Sequence, residues 1–455
     1  MYRTMLLIVA LIACRSESAA AEPVPGYAVV VSKATLRDTG WKKVADVLVK
    51  KHQGTLVDYD TLDEVKPMLA RTRPKYACFV ATPAEAGREF IAKVHRLTRQ
   101  LDNDPYTDIL WGVLTGYDAA NALRIAEYNT PLEVRKVAAG TEIALEMCDA
   151  GVWFSELKGG KVVRKAGGKT AEETGPVDST GAIVDALNDY RPDLFVTSGH
   201  ASERDWQIGF SYRNGFFRCA DGKLYGLDTK MGKHPIDSPN PKVYLAVGNC
   251  LMGHINGRDA MALAWMNSAG VYQMAGYTVD TWYGYGGWGL LDYFVEQPGR
   301  FTLAEAFFAG HQALLHKLET EFPKEARQES GTNSRNGLLY DRDVVALYGD
   351  PAWEVRMKPG PLNWDQSLTV KDGVYTFTVT PLQGDKSFRP VNTNGSQRGG
   401  RPIFALLPRR VKNVTVTAGK DLDPVITDDF ILVPLPKSGD LRRSYVVKFT
   451  AELAD

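Results

Sequence analysis

His200 and Cys250 are the two side chains of this sequence best suited to covalent chemistry. A thiolate attacks a carbonyl carbon, and an imidazole gives a proton to the leaving amine, so together they open an amide bond. Each residue closes an apolar run. Leu194-Phe195-Val196-Thr197 leads into Ser198-Gly199-His200, and Val243-Tyr244-Leu245-Ala246-Val247 leads into Gly248-Asn249-Cys250. Such short apolar runs read as buried strands. As adjacent parallel strands they set both side chains at one carboxyl edge, where open parallel sheets bind ligands.

Other reactive groups lie close by in sequence. Glu203 and Asp205 follow His200 and are explained equally by surface solvation, so no third, orienting carboxylate is identified. His254 lies four residues beyond Cys250, and with His200 it opens a reading as a metal site of two His and one Cys. No further ligand recurs at the usual spacing, so the expectation is a loop histidine at the cleft rim, with no metal and no cofactor. The run Trp282-Tyr283-Gly284-Tyr285-Gly286-Gly287-Trp288 follows a third apolar strand and reads as an aromatic cleft wall. Cys78 sits in the apolar run Tyr76-Ala77-Cys78-Phe79-Val80 and reads as core. Cys148 and Cys219 have no evident chemical context. The cysteine spacing signals neither a zinc knuckle nor a disulfide framework.

The positioning elements follow from periodicity. Strand patterns at 29–31 and 76–81 alternate with helical patterns at 41–51 and 84–101, which implies a mostly parallel sheet covered on both faces. Lys158-Gly159-Gly160-Lys161 reads as a hairpin turn, and 165–179, rich in Gly, Lys, Glu and Thr, as an exposed loop where internal cleavage would activate the protein. Helical patterns at 183–190 and 260–267, a strand at 271–275 and an amphipathic helix at 302–318 continue the alternation. After about Pro359 the character changes. Tyr375-Thr376-Phe377-Thr378-Val379-Thr380 alternates strictly behind the Asp372-Gly373 turn, and further alternating runs predict a small β-sandwich. The expected organisation is an N-terminal α/β subdomain over 24–165, a catalytic α/β subdomain over 180–358 and a sandwich over 360–455.

The chain has 455 residues with 54 Lys+Arg against 54 Asp+Glu, and no basic cluster stands out. That balance argues against nucleic acid and against electrostatic capture at an acidic membrane. The beginning is a targeting segment: Arg3 precedes an apolar run over 5–13, too short to span a bilayer. Ala19-Ala20-Ala21 fits secretory cleavage, giving a leader of 1–21. Leu11-Ile12-Ala13-Cys14 resembles a bacterial lipobox, giving a leader of 1–13 with lipid attached to Cys14. Either reading predicts export to the periplasm, the cell surface or the medium, the second with a lipid anchor.

The strand ends also carry a resemblance. The two runs ending at His200 and Cys250, the segment Ala275-Gly276-Tyr277-Thr278-Val279-Asp280-Thr281-Trp282 and the block Ala346-Leu347-Tyr348-Gly349-Asp350-Pro351-Ala352-Trp353 resemble, in order, motifs of the gingipain-like cysteine peptidases of caspase-like fold. His200 and Cys250 stand 50 residues apart, similar to the separation in caspases. The resemblance implies that Cys250 is the nucleophile and His200 the general acid/base. It implies an oxyanion hole from the N–H groups of Cys250 and Ala201, worth about 3 kcal/mol each. Trp282 would wall the substrate pocket, and an immunoglobulin-like domain would follow. Two positions depart from the pattern: Ala201 stands where the family usually has Gly, and Asn249 where a small residue commonly precedes the cysteine. The function implied is an exported endopeptidase acting on proteins or peptides. The alternatives are an inactive peptidase-like lipoprotein that captures peptides or a protein partner, and an amide or acyl hydrolase of small molecules.

Overall fold

The computed structural model describes residues 26–328, 337–436 and 443–454. The leader and Cys14 lie outside the described residues.

Twelve strands form one mixed sheet. They are β1 (Tyr27–Ser32), β2 (Thr55–Tyr59), β3 (Tyr76–Val80), β4 (Leu110–Leu114), β5 (Lys136–Ala139), β6 (Ala150–Phe154), β7 (Lys161–Ala166), β8 (Lys169–Thr174), β9 (Leu194–Gly199), β10 (Lys242–Asn249), β11 (Val271–Tyr277) and β12 (Val345–Tyr348). Their spatial order is β2-β1-β3-β4-β12-β11-β10-β9-β5-β6-β7-β8. The pairing is parallel except where β12 meets β11 and in the β6-β7-β8 hairpins. Every residue of β1, β3, β4 and β9 is buried, which is the signature of a parallel sheet covered on both faces. The sheet is continuous across the expected subdomains, because β5 of the first range pairs with β9 of the second.

The segment expected as an exposed loop over 165–179 is instead a paired edge strand over much of its length. Gly167 and Gly168 both have positive φ, +56° and +78°, and turn the chain so that β8 pairs along β7. An edge strand needs only one hydrogen-bonded neighbour, so its polar, fully exposed sequence gave no period-2 signal. This ordered pairing counts against 165–179 as a free activation loop.

Seven strands at the C-terminus form a second unit. The strands β13 (Trp364–Lys371), β14 (Val374–Pro381), β16 (Val411–Ala418) and β19 (Tyr445–Leu453) make one antiparallel sheet, and β15 (Ile403–Leu406), β17 (Val425–Ile426) and β18 (Phe430–Val433) the other. Tyr375, Phe377, Val447 and Phe449 from the first sheet and Ile403, Ile431 and Val433 from the second bury one another in a separate core. The architecture expected from the sequence is borne out: a mostly parallel α/β sheet flanked by helices, followed by a small all-β sandwich.

Helix Leu303–Glu321 joins the units. Thr302 and Glu305 close its start in a reciprocal capping box. The sequence predicts an amphipathic helix, yet it is buried on nearly every side through Leu315. Phe307 meets Trp111 of the large sheet edge-on at 5.3 Å, while Phe308 meets Phe404 and Phe430 of the sandwich at 6.0 and 6.2 Å. Among the described residues no helix is long and apolar enough to cross a membrane.

Candidate active site

Strands β9 and β10 lie side by side, parallel, with Gly199 level with Asn249. His200 and Cys250 are the next residue on each. One irregularity shapes the end of the pair. Thr197 pairs with Ala246 but Ser198 pairs with Gly248, so Val247 is an extra residue on β10. A bulge shifts the side-chain alternation beyond it, and Asn249 is fully buried. Its Oδ1 accepts from Thr197 Oγ1 at 2.6 Å and its Nδ2 donates to the Gly199 carbonyl at 3.1 Å. The carboxamide thereby ties together the two strand ends that carry His200 and Cys250. Asn249, the departure from a small residue before the cysteine, is thus turned into the sheet. Beyond the strands the chains turn sharply, with Gly199 at φ +104° and Leu251 at +56°.

Cys250 is half-buried. The backbone N–H of Thr281, in the loop after β11, donates to its Sγ at 3.2 Å. Tyr340 closes this side. Its hydroxyl donates to the Asp280 carbonyl at 3.3 Å, and its phenol is pushed up first by burial and then by the charge of Asp280, with Cys250 adding to it. Trp282 is 74% exposed beside Thr281. The rest of the aromatic run does not line a cleft: Tyr285 and Trp288 are buried at 4% exposure each, and Trp288 lies under Gly248, where a Cβ would come within 2.9 Å of its ring.

His200 is exposed, and its ring stacks on Phe210 with centroids 4.6 Å apart at 26°. Its carbonyl accepts from Gln207 N–H at 2.9 Å, and Ala201 forms a β-bridge with Trp206, so the chain after His200 is held in a tight hairpin. Among the described residues no hydrogen bond joins the His200 ring to Cys250 Sγ or to a carboxylate. Glu203 instead accepts from Asn256 at 2.9 Å, and Asp205 sits in a strand opposite Arg218. His254 is half-buried with Nδ1 unpartnered, and burial lowers its pKa against the opposing charge of Glu203.

The sequence missed Thr281 and Phe210. Thr281 acts through its backbone, so its identity carries no signal, and Phe210 lies in an irregular stretch without period.

No protein-family model matches the chain, and no curated protein matches it. In structure the chain is similar to gingipain R. That protein is described as an Arg-specific cysteine proteinase, and the likeness covers 96% of this chain and 99% of the other at 10% identity and a TM-score of 0.46. A likeness this distant assigns no residue a role.

Proposed function

We propose that the chain is a cysteine peptidase in which Cys250 is the nucleophile and His200 the acid/base. The observation that carries this reading is the level, cross-linked pairing of β9 and β10, which delivers both side chains to one carboxyl edge. In the reaction Sγ attacks the peptide carbonyl carbon, the C–N bond breaks, and His200 gives a proton to the departing amine. Water then adds to the thioester, with His200 taking its proton, and the thiolate returns. The N–H groups of Cys250 and Ala201 stabilise the oxyanion, and Trp282 meets the substrate side chain. Proteins or peptides are the substrates. By its leading segment the protein acts outside the cytoplasm, as a lipoprotein through Cys14 or as a soluble secreted enzyme.

The test is labelling of the mature protein with a thiol-directed peptide probe, beside Cys250→Ala and His200→Ala. Wild-type labelling that both variants lose supports the reading. Wild-type labelling no stronger than that of Cys250→Ala, under reducing conditions and after limited proteolysis, overturns it.

A second reading is a peptide-capturing relative without turnover. It is favoured by the His200 ring, which stacks on Phe210 and makes no hydrogen bond to Sγ. Saturable peptide binding without probe labelling would support it.

A further inference from the structure

The connection between β14 and β15 leaves the sandwich and runs along the α/β unit. Its anchors are buried ionic contacts. Arg401, 4% exposed, donates to Asp292 at 2.9 Å and to the Tyr285 carbonyl at 2.9 Å, with its guanidinium 3.4 Å over the Tyr285 ring. Arg398 donates to Asp292 at 2.8 Å and bonds Glu296. Between these anchors and Val391 the segment touches both sides of the candidate site.

On the cysteine side, Gly395 lies flat on Trp288. A Cβ there would stand 2.5 Å from ring carbons of Trp288, and the φ of +100° already favours glycine. Gly248, two residues before Cys250, packs against the same indole, where a Cβ would come within 2.9 Å. Ser396 Oγ also donates to the Tyr283 carbonyl at 3.1 Å. On the histidine side, Asn394 Nδ2 donates to Thr141 Oγ1 at 3.0 Å and to Glu156 Oε1 at 3.1 Å. The backbone carbonyl of Glu156 accepts from Phe210 N–H at 2.7 Å, and Phe210 is the ring on which His200 stacks.

We infer that residues 391–401 form a strap through which the second domain positions both members of the dyad, Cys250 by way of Gly395 and Trp288, and His200 by way of Asn394, Glu156 and Phe210. Asn394 and Gly395 are positioning residues: neither contacts the reacting atoms. The role in chemistry rests on the peptidase reading, whereas the bracing itself does not.

The experiment pairs amide hydrogen exchange with the pH profile of Cys250 alkylation by iodoacetamide, in wild type, Asn394→Ala, Gly395→Ala, His200→Ala and a Val447→Ala control inside the sandwich core. Asn394→Ala is expected to speed exchange over 208–212 about tenfold, the loss of roughly one hydrogen bond, and Gly395→Ala to do the same over 245–251. Both are expected to move the alkylation profile in the direction that His200→Ala moves it, while Val447→Ala lowers Tm and leaves exchange in both segments and the profile unchanged. Wild-type exchange in both segments of both strap variants overturns the strap. Faster exchange in the strap variants with an alkylation profile indifferent to His200→Ala keeps the strap and removes the dyad reading.

Discussion

Asn249 Nδ2 donates to the carbonyl of Gly199 at 3.1 Å, so a single buried carboxamide fixes how far the end of β9 stands from the end of β10. The residue before the cysteine is thus joined to the residue before the histidine. Replacing Asn249 by Ala leaves the Gly199 carbonyl and Thr197 Oγ1 each short of a partner, at a cost of about 1–3 kcal/mol in stability. Peptide-probe labelling of Cys250 should fall by more than global unfolding explains. Asn249→Asp should be worse, since an oxygen then faces the Gly199 carbonyl. Labelling at a temperature well below each variant's Tm checks this, and wild-type labelling in Asn249→Ala would remove the tie from the site.

Phe210 should matter to His200 without mattering much to the fold. It is 48% exposed, so truncation removes little burial. Ring stacking is worth about 0.5–1.5 kcal/mol, and Phe210→Ala should lower probe labelling roughly three- to tenfold, with Tm nearly unchanged. Phe210→Tyr should restore it. The same loss in both variants would show that the stack is not what orients His200.

Backbone closeness behind Cys250 allows no side chain. Gly253 N–H donates to the Tyr277 carbonyl at 2.8 Å, and a Cβ on Gly253 would overlap the Gly276 carbonyl oxygen. Gly253→Ala should therefore cost about 1–3 kcal/mol through overpacking, read as a lower denaturant midpoint, with Cys250 alkylation disturbed as well. Gly257→Ala, a few residues on, meets open space and serves as the comparison.

His95 sets an acid limit on stability. It is buried, its Nε2–H donates to the Val345 carbonyl at 2.8 Å and its Nδ1 has no partner. Burial lowers its pKa from 6.5 to about 4, although Asp343 opposes the shift. His311 beside it is lowered in the same direction, first by burial and then by His95. Between about pH 6.5 and 4 the unfolded chain takes up the proton and the folded one does not, so stability falls as pH drops through that window, by at most ~3 kcal/mol for His95. His95→Gln removes this contribution, and its stability should decline less between pH 7 and 4.5 than that of wild type. Parallel curves would show that His95 is not held neutral.

The strands that carry the candidate site were legible because they are buried on both faces, and continuous apolar runs such as Leu194-Phe195-Val196 have few other readings. The sandwich was legible because Tyr375, Phe377 and Val379 alternate with threonines. The edge strand β8 was not, since exposed polar residues carry no periodicity. The helix Leu303–Glu321 misled as amphipathic, because the covering of its outer face by Phe404 and Phe430 comes from a hundred or so residues further on. Asn249 read as a departure at the nucleophile because a one-residue bulge, which no local pattern announces, turns it inward. The aromatic run 282–288 divided: Trp282 reaches solvent, while Tyr285 and Trp288 became packing beneath the strand ends.

The order of the chain gives the strap a meaning in time. A polypeptide emerges N-terminus first and folds unit by unit, so His200 and Cys250 are made long before residues 391–401. A nascent or truncated chain holds both reactive side chains but none of the contacts from Gly395 to Trp288 or from Asn394 to Glu156. If the strap acts as proposed, a chain ending before residue 391 should label poorly at Cys250 with the peptide probe, although both reactive side chains are present.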